Sequence, residues 1–105
     1  MKNTKNSQAT FETVGQYEKQ PIFVLGVDDE PVFAENSKQL LEMQGNFQVE
    51  CVTSVEDGQQ KMKDKEFDAI VCDFQMPVKN GLDFLKELRE SGNGIPFILF
   101  TGKSR

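Results

Sequence analysis

The sequence predicts an α/β fold, an open parallel sheet with helices on both faces, and three observations carry that expectation. Short apolar runs alternate with segments of helical periodicity from Ile22 onward. Three of the runs, within "IFVLGV", "FDAIVCD" and "IPFILFT", are apolar through their centres, as strands covered on both faces are. The links are short, so consecutive strands lie parallel and are joined by right-handed crossovers.

Each element has its own signature. Residues 22–27, "IFVLGV", read as the first buried strand. Pro31 fits the first turn of a helix over 31–45, where its missing N–H costs nothing. That helix carries Phe33, Ser37, Leu40, Leu41 and Gln44 on one side, with Gly45 as a C′ residue. Residues 47–54 alternate Phe47, Val49 and Cys51 with polar residues, as an edge strand does.

Ser54-Val55-Glu56-Asp57 resembles a capping box and opens a helix over 55–66. Only Val55 and Met62 are large and apolar at helical spacing there, and Asp57 and Lys61 form an i,i+4 pair. It is expected to be the least stable helix. Residues 67–73 form the central strand, and 81–92 a helix with Leu82, Leu85 and Leu88 on one face and Gly92 at its close. Residues 95–101 are a further buried strand, with Pro96 confined to its start.

Composition narrows the function. The 105 residues make one domain. Residues 1–20 are polar and aperiodic, a disordered tail, which leaves 21–105 for the domain. The tail lacks the apolar stretch of a secretory signal, and no apolar run approaches the ~20 residues that span a bilayer, so no membrane association is expected. A net charge of −5 with interspersed signs disfavours direct nucleic-acid binding. Cys51 and Cys72 sit in apolar stretches without CxxC spacing and read as buried thiols of a reducing cytoplasm. The absence of histidine excludes His-based acid–base catalysis and most zinc sites.

Acids mark the strand ends. Asp28 and Asp29 close the first strand, Asp73 closes the third, and Thr101 closes the fourth. Open α/β sheets bind ligands at the carboxyl ends of their strands. If the first and third strands are neighbours, three carboxylates converge, and their repulsion calls for a cation. A hard, oxygen-preferring ion such as Mg²⁺ suits them. A carboxylate beside Mg²⁺ can attack a phosphoryl group to give an acyl phosphate, with the Thr101 hydroxyl in reach of a phosphoryl oxygen. Taken alone, Asp28 and Asp29 read equally well as plain polar strand ends; the whole set in one frame does not. A dinucleotide site is excluded because no G-x-G-x-x-G follows the first strand.

Three stretches carry a resemblance: "VDDEP" (27–31), "DFQMPVKNG" (73–81) and "PFILFTG" (96–102). Together they resemble the receiver domain of two-component response regulators, over residues 22–105. The resemblance implies a flavodoxin-like sheet ordered 2-1-3-4-5. It implies Asp73 as phosphoacceptor, taking phosphate from a sensor histidine kinase or phosphotransfer domain. Asp29 and Asp73 would ligate Mg²⁺, Asp28 would act through a water, and Gln75 would supply its backbone carbonyl. Thr101 would contact the phosphoryl group and move inward on activation. Met76 and Pro77 would shape the loop, Gly81 would permit its close turn, and Gly102 would leave room beside the site. Such a module is not an enzyme beyond its own phosphorylation and dephosphorylation. A phosphohydrolase with an aspartate nucleophile would want a second Asp where Gln75 stands.

The family continues with a further helix, a fifth strand and a closing helix, whereas this sequence ends at Arg105. The expectation is a domain truncated after its fourth strand, without the family's fifth-strand lysine and aromatic switch residue; Lys103 does not take the lysine's role. "FILF" (97–100) would then be an apolar edge strand through which the chain dimerises, beside an exposed apolar face. A similar "IPFILFTG" ending precedes PAS and histidine-kinase modules in relatives, which implies a hybrid parent. The runner-up function is a non-phosphorylated, receiver-like interaction fragment.

Overall fold

The computed structural model describes residues 20–101. The expected tail, apart from Gln20, and Gly102 and Lys103 lie outside them. Seven elements alternate: β1 Ile22–Val27, α1 Pro31–Gln44, β2 Phe47–Val52, α2 Val55–Asp64, β3 Ala69–Asp73, α3 Gly81–Glu90 and β4 Phe97–Phe100. The sheet is parallel throughout and ordered β2-β1-β3-β4. Val27 lies opposite Cys72, and Asp73 opposite Phe100. This is the open sheet that the apolar runs predict. Its strands are shorter than expected: β2 ends at Val52, β3 starts at Ala69 and β4 is confined to 97–100.

Strand alternation divides the core between two faces. On one face Leu25, Val27, Val52, Ile70 and Cys72 pack with Val55 of α2 and with Phe84 and Leu88 of α3. Phe84 is the largest fully buried side chain and meets Phe97 edge-on, ring centroids 5.7 Å apart. The sequence stripe of leucines therefore misplaces the face of α3. Phe84 and Leu88 point inward, one turn apart, while Leu82 and Leu85 are half-buried flanks.

The other face carries α1, which is rotated from its expected orientation. Ala34 is its buried residue, with Ser37, Lys38 and Leu41 half-buried below it. Leu40, expected inside, is 61% exposed, and Gln44 is exposed. Two apolar stripes run side by side on this helix, and the one with the small Ala34 lets the backbone approach the sheet. Phe33 lies on the flank and stacks on Phe100 instead.

Helix ends follow local chemistry. Ser54 Oγ accepts the Asp57 N–H at 3.0 Å, as predicted. Asn80 and Asp83 form a reciprocal capping box on α3. Gly92 takes φ +86, and the Gly92 and Asn93 amides bond the Arg89 and Leu88 carbonyls, a Schellman closure that puts the helix end at Glu90. Gly45 differs from expectation: its φ of 178 is extended, because only two residues separate α1 from β2. Lys61, expected to pair with Asp57, reaches across to Glu50 of β2 at 3.2 Å, where Lys65 also bonds. Both cysteines are free, Cys72 fully buried and Cys51 partly so. Among the described residues, no helix is long and apolar enough to cross a membrane.

Candidate functional site

Neighbouring strands deliver the acids to one place. β1 and β3 pair directly up to Val27 and Cys72, so Asp28 and Asp73 emerge side by side from the ladder. Asp28, Asp29 and Asp73 each offer a carboxylate oxygen, and these oxygens lie within 4.8 Å of one another. Asp28 is 3% exposed and Asp73 1%, while Asp29 is half-buried. Carboxylates withdrawn from water at this spacing repel strongly, since low dielectric magnifies the Coulomb cost. An all-oxygen anionic donor set of this kind fits a hard divalent cation.

Backbone groups hold the two buried acids in place. The Glu30 N–H donates to Asp28 Oδ1 at 2.9 Å, and the Gln75 N–H to Asp73 Oδ1 at 3.3 Å. The ladders also continue past the strands: the Asp28 N–H bonds the Val52 carbonyl, and the Phe74 N–H bonds the Phe100 carbonyl at 2.8 Å. Gln75 shares an open groove with Asp29, Phe74, Met76, Pro77 and Asn80. Thr101 follows Phe100, the register partner of Asp73, and its side chain is exposed.

The loop between β3 and α3 has an architecture of its own. The Gly81 N–H returns to the Phe74 carbonyl at 3.1 Å, which closes the loop. A Cβ at Gly81 would fall 2.5 Å from the Asp73 carbonyl oxygen and 2.5 Å from Leu99, so only glycine fits. At the tip, Val78 has φ 69 and the Lys79 N–H bonds the Pro77 carbonyl at 2.8 Å, a γ-turn of the rare, strained kind. Val78 is 94% exposed. Strain of this sort persists only where the surroundings enforce it. Lys79 supplies part of that enforcement, bonding Glu87 of α3 at 2.8 Å, while Gln59 of α2 donates to the other Glu87 oxygen at 2.6 Å. Nothing in the sequence announces this Gln59–Glu87–Lys79 link. The Asn80 cap is likewise absent from the sequence reading, and the signal that would have found it is an Asn three residues before Asp83.

Burial pushes the Cys72 thiol up to about 12, with the Asp73 and Asp28 charges adding to the effect. Cys72 is thus an inert neighbour of the acids rather than a nucleophile.

The family model for the response regulator receiver domain matches residues 24–105. The chain belongs to the response regulator receiver domain family. It is 37% identical over 87 residues to the probable transcriptional regulatory protein TcrX of Mycobacterium tuberculosis, covering 80% of this chain and 36% of that protein. It is 38% identical over 82 residues to the transcriptional regulatory protein CpxR of Escherichia coli, covering 76% of this chain and 33% of that protein. The chain therefore spans about a third of the length of these curated relatives. Among solved structures, a CheY-like receiver domain from Methylobacillus flagellatus superposes with a TM-score of 0.71 at 32% identity, covering 80% of this chain and 72% of that one. The Vibrio cholerae chemotaxis protein CheY4 superposes with a TM-score of 0.72 at 26% identity, covering 82% and 72%. Receiver domains are signalling modules that bind Mg²⁺ at an acidic pocket, and the three aspartates of this receiver domain form such a cluster.

Proposed function

We propose that this receiver domain is a phosphoacceptor in a two-component phosphorelay, with Asp73 as the acceptor. The observation that carries the reading is the convergence of Asp28, Asp29 and Asp73 within 4.8 Å at the end of the central strands. Asp29, Asp73 and the Gln75 carbonyl would hold Mg²⁺, with Asp28 in its outer shell. When bound, the ion supplies positive charge that offsets the charge on the transferring phosphoryl oxygens. The chain's own residues do the rest. The Asp73 carboxylate forms an O–P bond as the donor's bond to phosphorus breaks. The Gln75 amide orients the carboxylate by bonding Oδ1. Thr101, after it swings inward, donates its hydroxyl to a phosphoryl oxygen. The donor is a histidine kinase or phosphotransfer domain, and the module sits in the cytoplasm.

Intact-mass analysis tests this reading. The chain is incubated with Mg²⁺ and a small acyl-phosphate donor beside an Asp73→Asn control. One added phosphoryl group, absent from the control, is expected. Metal binding without any phosphoryl gain, in this chain and in one extended through a fifth strand, would favour the interaction-fragment reading.

Self-association belongs to the same proposal. Among the described residues β4 is an edge strand, and Ile98 on it is 58% exposed. Light scattering across a concentration series is expected to show a dimer that Ile98→Lys disperses. A monomer at every concentration would remove the dimer from the reading.

A further inference from the structure

The acid site stands on two arms. One is Asp28 and Asp29, which run through Glu30 into the first turn of α1; the other is Asp73 with Thr101 beside it. The β1–β3 ladder ends at Val27 and Cys72, just below the acids. Above that point the height of the first arm depends on what holds the start of α1. Ala34 is that helix's buried residue, and the space beneath it is a small apolar cavity that Asp28 and Phe100 both line. The large side chain in the first turn is Phe33. Its ring stacks on Phe100 with centroids 6.3 Å apart and planes 13° apart. Phe100 is fixed in turn, since its carbonyl accepts the Phe74 N–H and it lies in register with Asp73. β3 lies between β1 and β4, so the stack passes over the strand that bears Asp73.

We propose that the Phe33–Phe100 stack is a positioning strut that sets the Asp28–Asp29 arm against Asp73 and so preorganises the cluster for a divalent cation. Neither ring touches the cation. The strut acts by sparing the site the cost of ordering the two arms at the moment of binding. This inference rests on the phosphoacceptor reading, because the cluster it positions is the one that reading uses. Phe33 is 38% exposed on a helix surface, so its loss leaves the main core intact.

The test is calorimetric titration of the full 105-residue chain with Mn²⁺, alongside urea unfolding of each variant. Losing an aromatic stack corresponds to about a 2- to 10-fold change in an equilibrium constant. Phe33→Ala and Phe33→Leu should weaken Mn²⁺ binding by that factor, while Phe33→Tyr, which keeps a flat ring, should restore the parent affinity. A purely structural role would move the unfolding midpoint and leave the affinity of the folded chain alone. Phe33→Leu, which retains apolar bulk in a helix-favouring residue, keeps the test open if Phe33→Ala folds poorly. Parent affinity in Phe33→Leu overturns the strut and leaves the phosphoacceptor reading standing. A parent chain that binds no Mn²⁺ overturns both.

Discussion

The sheet's two faces are packed by different means. Under α2 and α3 it contributes Leu25, Val27, Val52, Ile70 and Cys72, closed by Val55, Phe84 and Leu88. Gly58 of α2 is buried here, and an added Cβ would meet Val27, Leu25 and Phe84 at ordinary contact distances of 3.4–3.6 Å, which leaves no gap beneath the helix at that point. Under α1 it contributes Val24 and Val49 to a cavity that Ala34 and Leu41 only partly fill. The acid site straddles this difference. Asp73 grows from a strand clamped by the dense face, whereas Asp28 and Asp29 lead into the helix on the sparse one. In this molecule Asp73, the proposed acceptor, closes a strand packed on the dense face, and the other two acids lead into the helix with the weaker grip.

The largest expected effect lies on the dense face. Phe84→Ala should cost about 3–5 kcal/mol, a cavity penalty that leaves a small domain largely unfolded. Urea denaturation measures it, and a loss under 1 kcal/mol would mean the two faces are packed alike. Gly81→Ala comes next. Backbone must move to admit the methyl group, at about 1–3 kcal/mol, and the shift falls on the Asp73 carbonyl, so phosphoryl uptake should drop along with stability.

The dense face also has a pH signature. Cys72 is raised to about 12 in the folded chain, chiefly by burial, against a free thiol near 9.0. Its contribution is therefore complete below about pH 9, where both states hold the proton. It is lost between about 9 and 12, where only the unfolded chain gives the proton up. Stability should fall by about 1.4 kcal/mol per pH unit from this group within that window. Unfolding titrations at pH 8, 9 and 10 of the parent and Cys72→Ala read the slope, which should be shallower in the variant. The smallest effect belongs to the sparse face. Leu40→Ser should change stability by no more than about 0.5 kcal/mol, as at an ordinary exposed site.

Much of this arrangement was legible because it is written in local chemistry. Apolar runs gave the strands, and the acids at their ends gave the site, since a carboxylate that closes a buried strand must emerge at the sheet's ligand edge. Ser54 and Gly92 marked helix ends through bonds made within a turn. What was not legible depended on choices between nearly equal alternatives. On α1 the stripes of Phe33 and Leu40 and of Ala34 and Leu41 are equally periodic, and only the closeness of the sheet selects the smaller one. On α3 the leucines masked Phe84, whose edge-on partner Phe97 is 13 residues away. Glu87 gathers Gln59 and Lys79 from two other segments, a contact no local pattern encodes.

The register of β4 has a further consequence for solvent exchange. The Pro96 and Phe100 carbonyls face β3, where they accept the Ile70 and Phe74 amides. In a parallel strand the amide and carbonyl of one residue point the same way, and the next residue points oppositely. The Ile98 and Phe100 amides are therefore locked against β3, while those of Phe97 and Leu99 face outward. Deuterium should enter this strand at alternate residues, quickly at 97 and 99 and slowly at 98 and 100. Four consecutive amides thus form a built-in gauge of the β4 edge among the described residues, and any strand that docks there would slow the two fast positions alone.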